Sequence, residues 1–364
     1  MKKIMMLVVA VATLMLTGCK KEFTITVQSN NDAWGSVTGG GTYVKGMVIS
    51  IEAKANSGYR FLKWQDGNTE NPRSITVKSD ETYVAIFVSE GGGGEVPSNI
   101  YVFSVSETQK VYFSPGNLQW SATGTHAVAG DGTAAGTWRF APNQWDTIGA
   151  GNRYISSTYT GWIDLFGWGT SGYNNKYPYM TSTNYSDYGN GNNSISGTNY
   201  DWGVYNAIYN PKTNTTDAPG TWRTVTKDEW VYLLNTRTTT SGIRYAKGTV
   251  MGRAGLIIVP DNWSTSIYPL SSTNSSSASY TANTITFADW PMVEAAGLVF
   301  LPTAGLRNGT SVSYVGSNVF YWSATHYGNG SVYNLGFDSS SLIPSGYSGS
   351  RGGGQSVRLV RDAQ

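Results

Sequence analysis

Residues 226–236 read TKDEWVYLLNT, and they form the clearest helix pattern in a chain of 364 residues that otherwise favours strands. Thr226 and Glu229 stand at the spacing of a capping box, in which the two side chains satisfy backbone N–H groups at the helix start. The apolar residues that share one face of this helix are Trp230, Leu233 and Leu234. The stretch therefore predicts a short, capped helix with one face buried in a core.

Strand patterns surround this helix on both sides. The apolar runs GLVFLPTAGL (297–306), VFYWSATH (319–326) and GQSVRLVRD (354–362) predict buried strands. A second, shorter helix is predicted in FADWPMVEAAG (287–297), where Pro291 stands in the first turn and Gly297 at the end. Residues 173–210 are rich in Tyr, Asn, Ser and Gly and predict an ordered surface loop. Residues 99–364 are thus expected to form a mainly β, α+β domain with two helices and long loops.

An earlier segment, residues 19–88, predicts a small β domain. FTITVQS, MVISIEAKA and RSITVKSDETYVAIFV read as short strands, and GYRFLKWQDG (58–67) offers an aromatic core of Tyr59, Phe61 and Trp64. The following SEGGGGEVPS (89–98) has four consecutive glycines and no periodicity, which is typical of a flexible linker.

Residues 1–18 predict a secretory signal peptide. Lys2 and Lys3 precede an apolar run from Ile4 to Leu16, and that run is shorter than the roughly 20 residues of a membrane span. Leu16-Thr17-Gly18-Cys19 resembles the lipobox of bacterial lipoproteins, whose cysteine carries the lipid (palmitate among its acyl chains). We therefore expect Cys19, the single cysteine of the chain, to hold the protein on the outer membrane. The motif is compatible with the cell surface and with the periplasmic face.

Composition restricts the functional classes. Charged residues make up 13% of the chain and the formal net charge is +2. Without a basic block, nothing predicts binding to nucleic acid. The many aromatic residues provide apolar surface to bury, which argues against a disordered chain.

Two family resemblances rest on several short motifs. Residues 19–88 resemble the divergent internalin B-repeat-like modules of bacterial surface proteins, through GSVTGGGTY, GYRFLKWQDG and TYVAIFV; this implies a β-grasp-like spacer. A second set of motifs resembles the Fibrobacter succinogenes major paralogous domain family and occurs in that family's order. These motifs are FSPGNLQW, WRFAPNQWDTIG, GWIDLFGWGTSGYN, EAAGLVFLPTAGLRNGT, YWSATHY and SVRLVRD. That resemblance covers nearly all of residues 100–362 and implies a C-type-lectin-like fold related to the sulfatase-modifying-factor group.

The same resemblance raises an enzyme hypothesis that the residues do not support. The oxidases of that group use copper and a pair of cysteines, whereas this chain has no cysteine after Cys19. The two histidines, His126 and His326, are far apart in sequence. Asp261, Asn262 and Asp338 are the best candidates for a calcium site, but no repeated acidic spacing supports one. We predict no catalytic residue, no metal and no cofactor.

A ligand-binding segment is instead predicted at Tyr321–Arg351, because Tyr, Ser, Gly and Asn dominate it, as they do in many binding loops. Trp322 and Ser323 are expected in the core. The candidate ligand-binding residues are His326, Tyr327, Asn329, Tyr333, Asn334, Phe337, Tyr347 and Arg351. The leading hypothesis is a non-enzymatic, lipid-anchored envelope protein that binds a surface glycan or a protein. The alternatives are a structural or adhesion component without a discrete ligand, and a degenerate sulfatase-modifying-factor-like enzyme.

Overall fold

The computed structural model describes residues 21–29, 32, 34–64, 68–89, 101–123 and 136–363. These residues divide into two compact units, with the division after Glu90. The predicted signal peptide, Cys19, residues 90–98 of the predicted linker and His126 lie outside the described residues. No helix among the described residues is long and apolar enough to cross a membrane.

The described part of the first unit consists of strands. Their bounds are β1 Glu22–Ser29, β2 Gly35–Thr38, β3 Gly41–Val44, β4 Val48–Ala55, β5 Tyr59–Trp64, β6 Arg73–Thr76 and β7 Glu81–Ser89. They form a four-stranded sheet in the order β3-β1-β7-β5, with β1 and β7 parallel, and a three-stranded sheet in the order β2-β4-β6. Ser89, predicted in the linker, is the last residue of β7 because it pairs with Tyr59.

The core of this unit contains Trp64 with Phe61 packed against it, whereas the third predicted aromatic residue, Tyr59, is half-buried and stacks on Trp34. Trp64 is fully buried, and its Nε1 donates a hydrogen bond to the Glu70 carbonyl at 2.8 Å. Phe61 packs against Trp64, with 5.4 Å between ring centroids. The β-grasp-like arrangement stays a prediction.

The second unit is mainly β, as predicted from sequence. Its strands are β8 Phe103–Ser104, β9 Lys110–Phe113, β10 Leu118–Ser121, β11 Thr137–Phe140, β12 Ile208–Asn210, β13 Thr215–Asp217, β14 Arg223–Thr224, β15 Tyr245–Val250, β16 Arg253–Ile258, β17 Thr284–Ile285, β18 Val299–Pro302, β19 Leu306–Asn308, β20 Ser311–Ser313, β21 Val319–Gly328, β22 Ser331–Phe337, β23 Leu342–Ser350 and β24 Leu359–Asp362. The four-stranded sheets have the orders β10-β11-β12-β13, β14-β24-β9-β8 and β17-β15-β16-β18. Smaller sheets are β19-β20 and β21-β22-β23.

Short helices connect these strands. They are α1 Trp202–Tyr205, α2 Lys227–Val231 and α3 Trp290–Ala295, with 3-10 turns at Gly149–Tyr154, Tyr173–Asn175, Tyr185–Asp187 and Tyr280–Ala282. Both predicted helices are present as α2 and α3. Helix α2 has the predicted capping box and continues as a π-helical turn, Tyr232–Thr236. Helix α1 was not predicted; the Asp201 side chain caps it by accepting from the Gly203 N–H.

The sheet β21-β22-β23 lies between two hydrophobic clusters. Tyr321, Leu335 and Phe337 belong to the cluster that includes Trp230, Leu233 and Leu234 from α2 and its π-turn. Alternate residues of the same strands belong to the second cluster, and these are Trp322, Ala324 and Val332. Both faces are covered over most of the sheet, whereas Tyr327 and Asn329 at the β21–β22 end are exposed, as is Ile343 in β23.

Candidate functional site at the end of a three-stranded sheet

The predicted binding segment 326–351 is a sheet and not a loop region. Strands β21, β22 and β23 form an antiparallel meander, with Tyr321 opposite Leu335 and Phe337 opposite Leu342. Some of the glycines that suggested loops, such as Gly336 and Gly349, are strand residues beside large side chains. A Cβ added at Gly349, for example, would lie 3.0 Å from Trp322 Cζ3. Small residues within a strand often mark this kind of close approach.

Three of the predicted ligand-binding residues are buried. Asn334 is 2% exposed, Phe337 3% and Arg351 3%. Phe337 stacks on Tyr321 with 6.5 Å between centroids, and Asn334 Nδ2 donates to Gln355 Oε1 at 3.2 Å. Asn334 and Phe337 are thus buried in this conformation, and a ligand contact at either residue stays a prediction.

Two other predicted residues, the exposed Tyr327 and the half-buried Tyr333, form an aromatic pair at the end of the sheet. The rings of Tyr327 in β21 and Tyr333 in β22 meet edge to face, with centroids 5.2 Å apart and planes at 89°. Tyr327 is 50% exposed. Lys227 Nζ lies 5.4 Å from the Tyr333 ring centroid, which is a cation–π distance. We call Tyr327 and Tyr333 the tyrosine pair.

Lys227 was not predicted as a site residue, although it begins the predicted helix. Its backbone N–H donates to Thr325 Oγ1 at 3.0 Å, which ties the start of α2 to β21. A hydrogen bond from its side chain to Asp228 raises the pKa of Lys227, so this group is a cation at neutral pH.

The turn between β21 and β22 contains Asn329 and Gly330. Their φ angles of 46° and 80° place both in the left-handed region, as in a two-residue type I′ hairpin. Asn329 is exposed at the tip, and turn geometry alone accounts for an Asn-Gly sequence there. Tyr347 lies in β23, and its side chain is outside the described part of the structure.

The last predicted residue, His326, meets the buried Arg351 at one tryptophan. The Arg351 guanidinium carbon lies 5.6 Å from the Trp168 ring centroid, and the His326 ring lies 6.4 Å from the same residue. Burial, and then the charge of Arg351, lower the pKa of His326. We call Trp168, His326 and Arg351 the arginine–tryptophan cluster.

The segment that supplies Trp168 continues over this end of the sheet. Its backbone joins the sheet through hydrogen bonds from the Trp168 N–H to the Arg351 carbonyl at 2.8 Å and from the Ile195 N–H to the Ala324 carbonyl at 3.0 Å. Ser194 Oγ accepts from the His326 N–H at 3.1 Å.

Two exposed side chains from this segment complete the cluster's surroundings. Asn192 Oδ1 lies 3.5 Å from Arg351 Nη2. Tyr185 packs over the hairpin turn so closely that a Cβ added at Gly330 would lie 2.3 Å from its ring. Sequence reasoning missed Trp168, Tyr185 and Asn192 because no local signal links residues 168–192 to residues 326–351.

The carboxylates considered for calcium already have protein partners. Asp261 accepts hydrogen bonds from the Ser104 hydroxyl at 2.6 Å and from Arg237 Nη1 at 2.9 Å. Asp338 Oδ1 accepts from the N–H groups of Ser340 and Ser341, which lowers its pKa despite partial burial. Within the described ranges, no group of three or more His, Cys, Asp or Glu side chains is arranged to hold a metal ion.

A second concave region lies around Asp261. It is an open groove of about 540 Å³ lined by Val102, Ser104, Lys110, Thr238, Thr239, Thr240, Asp261 and Asn262. Asp261 is engaged there by Arg237 and Ser104, and the half-exposed Lys110 lies 3.7 Å from the same carboxylate.

Comparison with known proteins bears on the first unit. Neither the curated proteins nor the solved structures contain a match to the chain. Residues 25–91 match the family model of the divergent InlB B-repeat domain, in agreement with the resemblance seen in GSVTGGGTY and GYRFLKWQDG. The first unit therefore carries a module similar to the divergent InlB B-repeat domain.

Proposed function

We propose that this protein is a non-enzymatic, lipid-anchored envelope protein whose second unit binds a glycan of the cell surface. The observation that carries the proposal is the tyrosine pair at the end of the sheet near the β21–β22 turn. Tyrosine combines a large apolar face with a polar hydroxyl, and such a side chain can pack against a sugar ring while hydrogen-bonding its hydroxyls. Lys227 and Asn329 add polar groups beside the rings.

The architecture around the site fits presentation of a ligand-binding surface. The B-repeat-like module acts as a spacer between the anchor at Cys19 and the second unit. The order of family motifs in residues 100–362 supports a C-type-lectin-like fold for that unit and relates it to the major paralogous domain family. Such folds carry recognition at the surface of a rigid scaffold.

A glycan-binding assay on residues 20–364 tests the proposal. We expect saturable binding to a surface polysaccharide and a loss of about ten-fold in affinity for Tyr327→Ala, because an exposed aromatic contact residue commonly contributes more than 1 kcal/mol. Tyr154→Ala is the matched control, since Tyr154 is 54% exposed, lies 5.9 Å from the Tyr159 ring and has Arg153 stacked on it, outside the sheet.

The outcomes separate the alternatives. Binding to whole cells but to no glycan points to a protein ligand, and absence of both points to a structural or adhesion component. Equal losses for Tyr327→Ala and Tyr154→Ala contradict the assignment of the tyrosine pair.

Membrane fractionation tests the anchor. Cys19→Ser is expected to release the protein from membranes, because it removes the site of acylation. The apolar run of the signal peptide is too short to anchor the protein in place of the lipid. Retention of the variant in the membrane fraction contradicts lipidation at Cys19. Protease treatment of whole cells distinguishes the surface from the periplasmic face.

A further inference from the structure

Arg351 differs from the other buried cations of the second unit in its partners. The arginine and lysine side chains buried elsewhere have close oxygen acceptors. Arg237 contacts Asp261 at 2.9 Å and the Val259 carbonyl at 2.7 Å. Lys247 donates to three backbone carbonyls at 2.6–2.8 Å. Arg358 Nη2 donates to Gln144 Oε1 at 2.8 Å, although the Nε of Arg358, like that of Arg351, has no partner.

Arg351 has no comparable acceptor among the described side chains. It is 3% exposed, its Nε has no hydrogen-bond partner, and its contact with Asn192 Oδ1 is long at 3.5 Å. His326 Nε2, beside it, is also buried without a partner. Burial lowers the pKa of Arg351, and only Tyr185 opposes this effect. A buried charge without a close counter-charge costs free energy, so a ligand that supplies one gains affinity at this position.

We propose that the arginine–tryptophan cluster binds the carboxylate of an acidic saccharide, with Arg351 as the charged donor and His326 as a second N–H donor. This rests on the glycan-binding function proposed above and names the class of glycan. The planar guanidinium matches the geometry of a carboxylate, and charge-assisted bonds of this type are about 2.7–2.9 Å long.

Asn192 defines where the carboxylate enters. Its side chain is exposed, and its amide oxygen is the neutral group now nearest to Arg351 Nη2. When a ligand carboxylate binds, Arg351 Nη2 exchanges this long contact with a neutral oxygen for a short hydrogen bond to a charged oxygen. His326 and Tyr327 are consecutive in β21, so their side chains point to opposite faces of the sheet, and a sugar chain that contacts both must pass around the hairpin end.

The test compares polygalacturonate with its fully methyl-esterified form, which has the same backbone without the charge. Residues 20–364 are expected to bind the acid at least about ten-fold more tightly, the typical contribution of a hydrogen bond to a charged group. Arg351→Met, which keeps an apolar stem beside Trp168, is expected to remove this preference and to retain binding of the ester. Arg153→Met is the control for general loss of positive charge, and it is expected to keep the preference.

A second measurement on the unmodified protein covers the case in which Arg351→Met fails to fold. Trigalacturonate is expected to raise the pKa of His326 in an NMR titration, because a carboxylate stabilises the imidazolium; its methyl ester is expected to leave it unchanged. The chain has two histidines, so His126→Gln identifies the signal.

Three results overturn the inference. The first is equal binding of the acid and the ester, which contradicts a carboxylate site but leaves glycan binding intact. The second is an unchanged pKa of His326 in the presence of trigalacturonate, which has the same consequence. Failure of both polymers to bind, with cell-surface glycan binding preserved in the assay above, removes the acidic saccharide and keeps the proposed function.

Discussion

Asp164 is fully buried and holds together two parts of the second unit through hydrogen bonds. Its carboxylate accepts from the Ile148 N–H at 2.9 Å and from Asn152 Nδ2 at 2.8 Å. Asn152 Oδ1 in turn accepts from the N–H groups of Asp164 and Leu165. Burial, only partly offset by these bonds, raises the pKa of Asp164 from 3.8 to about 6.

This pKa predicts a pH dependence of stability. The native state binds the proton more tightly than the unfolded state, so the contribution of Asp164 to stability is greatest below about pH 4 and declines as pH rises to about 6 and above. A shift of this size corresponds to about 3 kcal/mol. In urea unfolding between pH 4 and 7, the free energy of unfolding of the wild type minus that of Asp164→Asn should therefore fall with increasing pH.

Asp164→Asn also has a constant cost, because an NH2 group replaces one carboxylate oxygen and can only donate, so one of the two hydrogen bonds is lost. The test is therefore how the difference in free energy of unfolding between the wild type and Asp164→Asn changes with pH. Groups that titrate alike in both proteins cancel in this difference. A difference that is constant or rises with pH contradicts the raised pKa.

The hairpin turn that joins β21 and β22 is the element that brings the two halves of the candidate site together. Gly330 has a φ of 80°, and the ring of Tyr185 from the neighbouring segment lies where its Cβ would be. Helix α2 supports the opposite side of the same strands through Trp230, Leu233 and Leu234. The position of the site thus depends on both a turn and a helix.

Gly330→Ala is expected to cost more than Gly316→Ala. Gly316 has nearly the same φ, 82°, but nothing lies within 4 Å of its added Cβ. Both substitutions carry the left-handed backbone penalty of about 1 kcal/mol, and Gly330→Ala must in addition displace Tyr185. Chemical denaturation measures the difference.

The variant Tyr185→Ala provides the control. Combined with Gly330→Ala, it should reduce the additional cost, since the clash is then absent. Equal costs for the two glycine substitutions contradict close packing of Tyr185 on the turn.

At the scale of the whole molecule, each unit has its own core. The cluster around Ile25, Trp64 and Phe87 contains residues of the first unit alone. The remaining three clusters contain residues of the second unit alone. A core of its own is what a domain needs to fold independently.

Removal of residues 20–98 is therefore expected to leave the unfolding midpoint of the second unit unchanged. Tryptophan fluorescence during denaturation of residues 99–364, beside residues 20–364, measures this. A lower midpoint for the shorter chain contradicts independent folding. An isolated fragment of residues 20–89 should likewise show its own cooperative transition.

Local patterns determined much of the fold from sequence alone. Four predicted features depend on residues only a few positions apart, and all four are present. They are the capping box at Thr226 and Glu229, the buried face of α2, Pro291 at the start of α3 and the mainly β class. The B-repeat-like module is also recognisable from sequence, because its motifs occupy one continuous segment.

Only the tertiary structure decided which residues of segment 326–351 are exposed and which are buried. Composition does not distinguish Tyr327, half-exposed at the end of the sheet, from Phe337, buried in the cluster that includes Trp230 of α2. Trp168 lies more than 150 residues before Arg351, yet its ring packs on that guanidinium. Burial and ring contacts of this kind arise from long-range packing on both faces of a sheet, and no local spacing of residues encodes them.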